Sequence, residues 1–473
     1  MFNDPDLSPL AAAGSAIDLR PLRVGMIGIG TVGAGTWRVL RRNQAVIRAR
    51  TGRGIGIVAV AARNRAKAAA VLGEALADGS VVLTDDPLRL AADPHIDVLV
   101  EVAGGTGVAR DWVLAAIAHG KHVVTANKAL LAEHGAEIFA AAQQRGVAVA
   151  YEAAVAGCLP IVKALREGLA ANRIEALSGI VNGTTNFILT KMRDEGLDFA
   201  AALAQAQALG YAEADPRFDV EGLDAAHKLT LLAALAFGAP VRLDQVRVEG
   251  ITGVQAADVA CAARLGYRVK LLAIARRERV GDAEGLALRV APALVPERHL
   301  LAQVDGALNG VLVQGDACGA TLQIGAGAGS EPTASAVIAD LVDLARFGGS
   351  PPAQRVPLQG FGPDALRALP VLPPEAHCTG HYLRVPMTAE GAPGAQAALL
   401  RALHEQGVAV RALHHDAHAA PQPASTREDG GGRDLVVLTQ PTSEAAVARV
   451  LAHLAALPGL AGPVAHLRVE TLG

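Results

Sequence analysis

The stretch "LRVGMIGIGTVGAGTWRVL", residues 22–40, decides the fold. Its first six residues, "LRVGMI", form a mostly apolar strand candidate, and a glycine-rich turn then opens a helical pattern. Gly28, Gly30 and Gly33 stand in GxGxxG spacing. In that arrangement the first glycine permits a tight turn, the second lets a pyrophosphate approach the backbone, and the third lets helix and sheet pack closely. The free N–H groups of the helix start attract the anion, so Thr31 and Val32 inside the turn belong to the same cradle. A bare GxGxxG is weak evidence, and a glycine turn without a nucleotide is the plain alternative. Its position after an apolar strand and before a helix favours a dinucleotide-binding unit.

Outward from this turn, "IGIVAVAA" (55–62), "IDVLVEV" (96–102), "HVVT" (122–125) and "VAVAYE" (147–152) are further buried strands. Helices are expected from about Val32 to Arg50, from Val108 to His119, and from near Lys128 onward. Alternating strands and helices predict an α/β unit, a Rossmann-type doubly wound parallel sheet over residues 21–150. Residues 1–20 read as an N-terminal extension. A second, α+β unit spans 151–324. It has helices at 160–171, 222–237 and 255–265, and strands "ALSGIV" (176–181) and "VKLLAIAR" (269–276). The segment "GAGAGSEPTASAVIADLVDLARF" then gives a glycine turn and a helix from Pro332 to Arg346. That helix returns the chain to the nucleotide unit, which so takes in about 325–350. Residues 351–374 are proline-rich and form a linker. Residues 375–473 follow a βαββαβ pattern, which is a ferredoxin-like arrangement, interrupted by a polar insertion at 417–434 that is expected to be mobile.

Bulk properties remove several function classes. The net charge is −3 with no basic face, which argues against nucleic-acid binding. The longest apolar run, near Leu229–Val241, is too short to span a bilayer and holds Gly238 and Pro240, so no membrane role is expected. The start carries Asp4 and Asp6 where a signal peptide would carry basic residues, which points to the cytoplasm. Cys158, Cys261, Cys318 and Cys378 form no CxxC pair and read as buried thiols, not as a disulfide or zinc framework.

The second strand ends in "AARNRAK". A carboxylate there would hold the ribose 2′-hydroxyl of NAD. The chain offers Arg63, Arg65 and Lys67 instead, and guanidinium suits a 2′-phosphate. NADP is therefore favoured over NAD, against the alternative that these are ordinary solvated cations.

Farther on, Asp224 and Lys228 lie four residues apart on an expected helix and share a face. An exposed ion pair, worth only about 0.3–0.5 kcal/mol, is the bland reading. The following "LTLLAALAF" makes this helix largely buried, and a buried pair asks for a reason beyond stability. Lys128, in "TANKALL", follows the strand "HVVT" and so sits at the carboxyl end of a parallel strand, where open sheets place ligands. A lysine also opposes the dipole of the helix it would begin, which leans toward function. Gly104, with Ala103 and Gly105, shapes the loop before it.

The chain resembles homoserine dehydrogenases. The resemblance rests on "VGMIGIGTVGAG", "VVTANKALLAEHG", "YEAAVAGCLPIVKALREGL", "LSGIVNGTTNFILTKM", "GYAEADPRFDVEGLDAAHKL" and "GAGAGSEPTASAVIADLV" in that order, over about residues 20–350. It implies interconversion of L-aspartate 4-semialdehyde and L-homoserine with NADP or NAD, in threonine, methionine and isoleucine synthesis. Carried onto this sequence, it makes Lys228 the proton donor and acceptor and places Lys128 beside nicotinamide and substrate. It makes Glu213 a substrate-binding residue, and Asp219 and Asp224 further polar contacts there. It also implies that Gly327 belongs to a second cofactor-contacting loop. Around Glu152, Val155, Gly157 and Leu159, backbone oxygens would hold a structural monovalent cation, sodium in the family; a plain strand-to-helix turn with Pro160 at its start is the alternative. The last hundred residues resemble an ACT regulatory domain, implying a threonine effector and a homodimer or homotetramer. The turn "AEGAPGAQ" (389–396) departs there from the acidic residue the family carries before its PGV. A catalytically silent, amino-acid-sensing nucleotide binder is the competing class. The retained Lys128, Glu213, Asp224 and Lys228 argue against it.

Overall fold

The protein is described from a computed structural model, over residues 20–280, 283–347, 349–388, 392–417, 433–455 and 460–472. Most of the N-terminal extension and of the 417–434 insertion therefore lies outside the described residues. The first sheet is wholly parallel. Its strands are β1 (Leu22–Ile27), β2 (Ile55–Ala61), β3 (Val82–Thr84), β4 (Val98–Glu101), β5 (His122–Thr125) and β6 (Val149–Ala150), in the order β3-β2-β1-β4-β5-β6. The order reverses direction between β1 and β4, and a crevice opens beyond the carboxyl ends of those two strands. Val24, Val98 and Val100 are fully buried in this sheet because helices cover both of its faces.

Glycine fixes how the first helix leaves β1. Gly28 has φ +102°, a left-handed value that a side chain rarely adopts. A Cβ on Gly33 would lie 2.2 Å from the Gly28 carbonyl oxygen, and one on Gly35 would lie 2.3 Å from that of Ser330. The helix Thr31–Arg42 is thereby pressed against both the sheet and the helix Ser330–Phe347. Arg42 pairs with Glu331 across that contact at 2.8 Å. The helix Ser330–Phe347 thus packs on the helix that follows β1.

Three expected elements end early. The helix expected over Val32–Arg50 is two helices, Thr31–Arg42 and Gln44–Thr51. Asn43, at φ −104° and ψ 15°, breaks it, closing the first helix on Val39 and opening the second, which buries Ile47. Asparagine bonds readily to nearby backbone and so favours such junctions. The strand expected over 147–152 pairs only at Val149–Ala150. Tyr151 leaves the extended region, and Glu152–Ala154 form a 3₁₀ turn. The helix expected over 160–171 has one α-turn, Ile161–Lys163, and then a wider π-turn, Ala164–Gly168.

The remaining strands are β7 (Ile174–Ile180), β8 (Arg247–Val248), β9 (Tyr267–Val280), β10 (Ala283–Pro296), β11 (Leu308–Gly315), β12 (Gly319–Ala326), β13 (Cys378–Val385), β14 (Val410–Ala417), β15 (Arg433–Thr439), β16 (Thr442–Ser443) and β17 (Ala465–Val469). They build one mixed sheet with the main order β12-β11-β7-β9-β10-β17-β13-β15-β14. Its last four strands, with helices Ala392–Glu405 and Glu444–Ala455, make the βαββαβ unit. That unit joins the preceding one through β10 and β17, which pair in parallel at Ala293–Arg468 and Leu294–Val469. Ion pairs reinforce the junction: Arg384 to Asp258 at 2.6 Å and Arg289 to Glu470 are buried, and Arg468 reaches the partly exposed Glu249 at 2.7 Å. The proline-rich 351–374 segment is strapped down too, since Leu286 N–H donates to Pro370 and Leu372 N–H to Leu286. Among the described residues no helix is long and apolar enough to cross a membrane.

Candidate active site

Two cavities lie along the crevice. A cavity of about 780 Å³ is lined by Gly28, Gly30, Arg63, Lys67, Gly104 and Gly105. Its backbone floor is open where it should be: a Cβ on Gly30 or Gly104 would meet nothing within 4 Å, so the glycines leave room for a ligand's phosphates rather than for a neighbour. Glu101, fully buried at the end of β4, holds the opposite rim. Its carboxylate accepts from Ala103 N and Gly104 N at 2.9 and 3.0 Å and from Thr125 Oγ1 at 2.8 Å. Reading the sequence missed this residue. Its one signal was an acid near the end of the apolar run "IDVLVEV".

A second cavity, about 500 Å³, is lined by Val32, two residues beyond Gly30 of the first, and by Lys128, Asn182, Asp219, Asp224, Lys228 and Gly327. Asp224 and Lys228 rise from helix Leu223–Phe237, and both are buried. Lys228 Nζ donates to Asp224 Oδ2 and to the Val181 carbonyl, each at 2.6 Å. Lys128 Nζ reaches Asp224 Oδ1 at 3.0 Å from the start of helix Lys128–Arg145. Asn182 Nδ2 donates to Asp219 Oδ1 at 2.7 Å and to Asp224 Oδ2 at 2.8 Å. The exposed-pair reading of Asp224 and Lys228 is thereby excluded.

These contacts set the charges. Burial pushes Asp224 toward its neutral form, but the Lys228 and Lys128 charges and the donors on its oxygens outweigh it, holding this carboxyl well below the usual range. Burial lowers Lys228 below an ordinary lysine, an effect the Asp224 charge opposes. Asp219 is raised by burial, and the Asn182 donor only partly offsets that. The cluster sets two amines, Lys128 and Lys228, against two carboxyl groups, Asp219 and Asp224. The site can thus receive a polar substrate without an uncompensated charge.

Other expected site residues are less tightly gathered. Thr31 lies at the helix start, where its carbonyl accepts from Ser330 Oγ at 2.7 Å, and Gly33 serves packing. Glu213 is exposed and does not line the cavity; its carbonyl accepts from Gln207 Nε2 at 3.0 Å. Asp215 forms a surface pair with Arg217 at 2.6 Å. The Glu152 carboxylate accepts from Val162 N and Lys163 N, each at 2.8 Å, so it caps the following turn. Ala156 and Gly157 take left-handed backbone angles, φ +54° and +63°, between Val155 and Leu159. His227, expected from the sequence to face away from the Asp224–Lys228 pair, packs edge-on against Phe218 with ring centroids 5.3 Å apart and is near enough to feel the Asp224 and Lys128 charges, as its place three residues after Asp224 allows.

A family model described as homoserine dehydrogenase, NAD binding domain, matches residues 28–152, and a second, homoserine dehydrogenase, matches 160–342. The homoserine dehydrogenase of Pseudomonas aeruginosa is 48% identical over 454 residues, covering 96% of this chain and 100% of the relative. The chain belongs to the homoserine dehydrogenase family. The Neisseria gonorrhoeae homoserine dehydrogenase is 44% identical over the same shares of each chain. A crystal structure of the homoserine dehydrogenase from Thiobacillus denitrificans superposes with TM-score 0.87 at 51% identity, over 96% of this chain and 99% of that one. As a homoserine dehydrogenase, the protein is an oxidoreductase acting on a CH–OH group, with homoserine and aspartate semialdehyde as its substrates and a nicotinamide cofactor, in amino-acid biosynthesis. The runner-up reading, a silent sensor, has no support in these likenesses.

Proposed function

We propose that Lys228 is the proton-transferring group of the reaction and that Lys128 orients the reacting end of the substrate. The observation that carries this is the position of the Lys228 ammonium, in the substrate cavity and held at 2.6 Å by both Asp224 and the Val181 carbonyl. A bound nicotinamide supplies or takes up the hydride. In the reductive direction the carbonyl oxygen gains negative charge, which the lysine cations stabilise, and Lys228 hands it a proton. In the oxidative direction the neutral Lys228 amine takes the hydroxyl proton from homoserine. Asp219 and Asp224 attract the substrate's ammonium. Glu213 joins them as a substrate-binding residue in this proposal, on the strength of its motif alone.

NADP is the preferred cofactor in this reading, because Arg63 and Lys67 line the cavity where the second strand ends without a carboxylate. Gly28, Gly30, Thr31, Val32, Gly33, Gly104, Lys128 and Gly327 complete the cofactor contacts. A structural sodium ion at the carbonyls of the Glu152, Val155, Gly157 and Leu159 segment is supported by the left-handed turn there and by the small side chains around it. The Glu152 carboxylate, occupied as a cap, would not be a ligand. The βαββαβ unit is proposed to be an ACT domain that binds threonine as a feedback effector. Its strand order β17-β13-β15-β14, which is 4-1-3-2, is ferredoxin-like and supports that reading. A cytoplasmic homodimer or homotetramer serving threonine, methionine and isoleucine synthesis completes the proposal.

The test is turnover of L-homoserine at alkaline pH with NADP or NAD, followed by absorbance of the reduced cofactor, with and without threonine. Faster turnover per unit concentration with NADP is expected, with inhibition by threonine. Equal use of both cofactors would reject the 2′-phosphate assignment, and indifference to threonine would reject the effector.

A further inference from the structure

Asn182 stands at the junction of β7 and the helix Gly183–Glu195, and it is almost fully buried. One half of its amide has an ordinary task. The carbonyl oxygen accepts from Thr185 N at 2.8 Å and from Thr185 Oγ1 at 3.0 Å, which caps the helix start. Asparagine, aspartate and serine all cap well, so capping alone does not ask for an amide. The other half faces the active site. Its NH₂ group bridges two carboxylates, Asp219 Oδ1 at 2.7 Å and Asp224 Oδ2 at 2.8 Å. The Asp224 oxygen that it touches is the same one that holds Lys228 Nζ. The carbonyl of the preceding residue, Val181, accepts from that same Nζ. Two adjacent residues therefore fix the lysine, one directly and one through Asp224.

We propose that Asn182 is a positioning residue for the reaction: its amide bridges Asp219 and Asp224 and thereby fixes the aim and the charge of Lys228. The inference rests on the reading of Lys228 as the proton-transferring group. Its physical basis is that two carboxylates facing each other repel: the lysine charges do most to hold Asp224 ionised, and the shared NH₂ donor adds to them there and is the leading stabilising contact on the half-buried Asp219. Without that donor, Asp219 takes up a proton or turns away and Asp224 is free to shift, so Lys228 loses part of its counter-charge and its fixed aim. The charged groups that bear on Lys228 are Asp224, Lys128 and Asp219, and the first two, with Glu133, also act on the neighbouring His227.

Asn182→Asp separates the two tasks. It keeps the size and the capping oxygen but turns the donor into a third carboxylate. Asn182→Ser keeps a cap and can donate only one bond. Both are assayed as the full-length enzyme for kcat, KM and the pH profile of homoserine oxidation, with thermal unfolding as the check on folding. Asn182→Asp is expected to reduce kcat by about tenfold or more and to move the rising limb of the profile to higher pH, because added negative charge favours the ammonium form. Asn182→Ser should lower kcat less, with KM for the cofactor near the wild-type value in both. Wild-type kcat and pH profile in both variants would overturn the inference and leave Asn182 as a helix cap. If Asn182→Asp fails to fold, Asn182→Ser decides on the same readouts. Lys228→Ala in the same assay keeps the two readings apart. Its full activity would reject the proton assignment itself, whereas an inactive Lys228→Ala beside wild-type Asn182 variants would reject only the role of Asn182.

Discussion

Lys228 Nζ lies 2.6 Å from Asp224 Oδ2, one turn earlier on the same helix, and both residues are buried. A pair of that kind offers little net stability, because desolvation cancels most of the attraction. Removing only the lysine leaves Asp224 buried with Lys128 as its remaining cationic partner, which costs some stability as well, so the kinetic effect is read beside thermal unfolding. Lys228→Ala is expected to reduce kcat by about 10²–10⁴-fold, the usual worth of a positioned proton donor, with KM for the cofactor changed little. Steady-state kinetics in both directions check this. Retention of more than about a tenth of wild-type kcat would contradict it.

The same burial gives the reaction a pH signature. Lys228 is lowered below an ordinary lysine, chiefly by burial. The neutral amine needed for homoserine oxidation should thus appear at a lower pH than for a solvated lysine. Oxidation is expected to rise with pH and semialdehyde reduction to fall over the same range, with a midpoint below about 10.4. Profiles of kcat in the two directions that moved in parallel would contradict the assignment.

Lys270, on β9, supplies a stability counterpart away from the reaction. It is almost fully buried and donates to Asn186 Oδ1 at 3.1 Å, to the Val304 carbonyl at 2.7 Å and to Asp305 at 2.9 Å. Burial lowers it to about 8 in spite of Asp305. Between that value and the unfolded value of about 10.4 the unfolded chain binds the extra proton, so this group's contribution to stability rises with pH across that window and is constant below it. Urea unfolding midpoints at pH 7.5 and 9.5 test the sign. Wild type should gain relative to Lys270→Met on going to the higher pH. An identical change in both would show that Lys270 titrates alike folded and unfolded.

Cofactor choice should respond to Arg63, which lines the larger cavity with Lys67. Arg63→Asp replaces a cation suited to a 2′-phosphate by a carboxylate suited to a 2′-hydroxyl. The expected result is a KM for NADP raised by about tenfold or more and a preference moved toward NAD. Unaltered relative use of the two cofactors would mean that Arg63 does not meet that end of the ligand.

What the sequence revealed depended on how local each feature is. The glycine turn was legible because its geometry is dictated within six residues, and Asp224 with Lys228 because helical spacing puts them on one face. The buried setting of that pair followed from the apolar run beyond it. Asn182, in the motif "LSGIVNGTTNFILTKM", offers a polar group for substrate, cofactor or turn but no partner by spacing, since Asp219 and Asp224 lie 37 and 42 residues away. Glu101 escaped because its work is done on two loops, one of them more than twenty residues on. The break at Asn43 was hidden by an apolar pattern that runs through both helices, whereas the ordered motifs gave Glu213 a role that its exposed position does not itself supply.

The first and last helices of the nucleotide unit give one more test, of how packing far along the chain reaches the site. A Cβ on Gly35 would lie 2.3 Å from the Ser330 carbonyl oxygen and 2.6 Å from its hydroxyl. Backbone cannot yield to such a contact without moving a helix. Ser330 directly follows the Gly327–Gly329 turn that borders the substrate cavity, so the displacement would reach that turn. Gly35→Ala is expected to destabilise the fold by about 1–3 kcal/mol, as overpacking does, and to raise KM for the cofactor because the glycine cradle moves with its helix. Arg38, one turn from the same contact, donates to Ser330 Oγ at 3.0 Å. Its replacement by lysine or glutamine leaves the backbone approach intact and should spare both quantities. Thermal unfolding and cofactor KM, measured on Gly35→Ala and on the Arg38 variants, distinguish the close approach from the hydrogen bond. Equal damage from both would show that the bond at Ser330, rather than the lack of a side chain at position 35, holds the two helices in place.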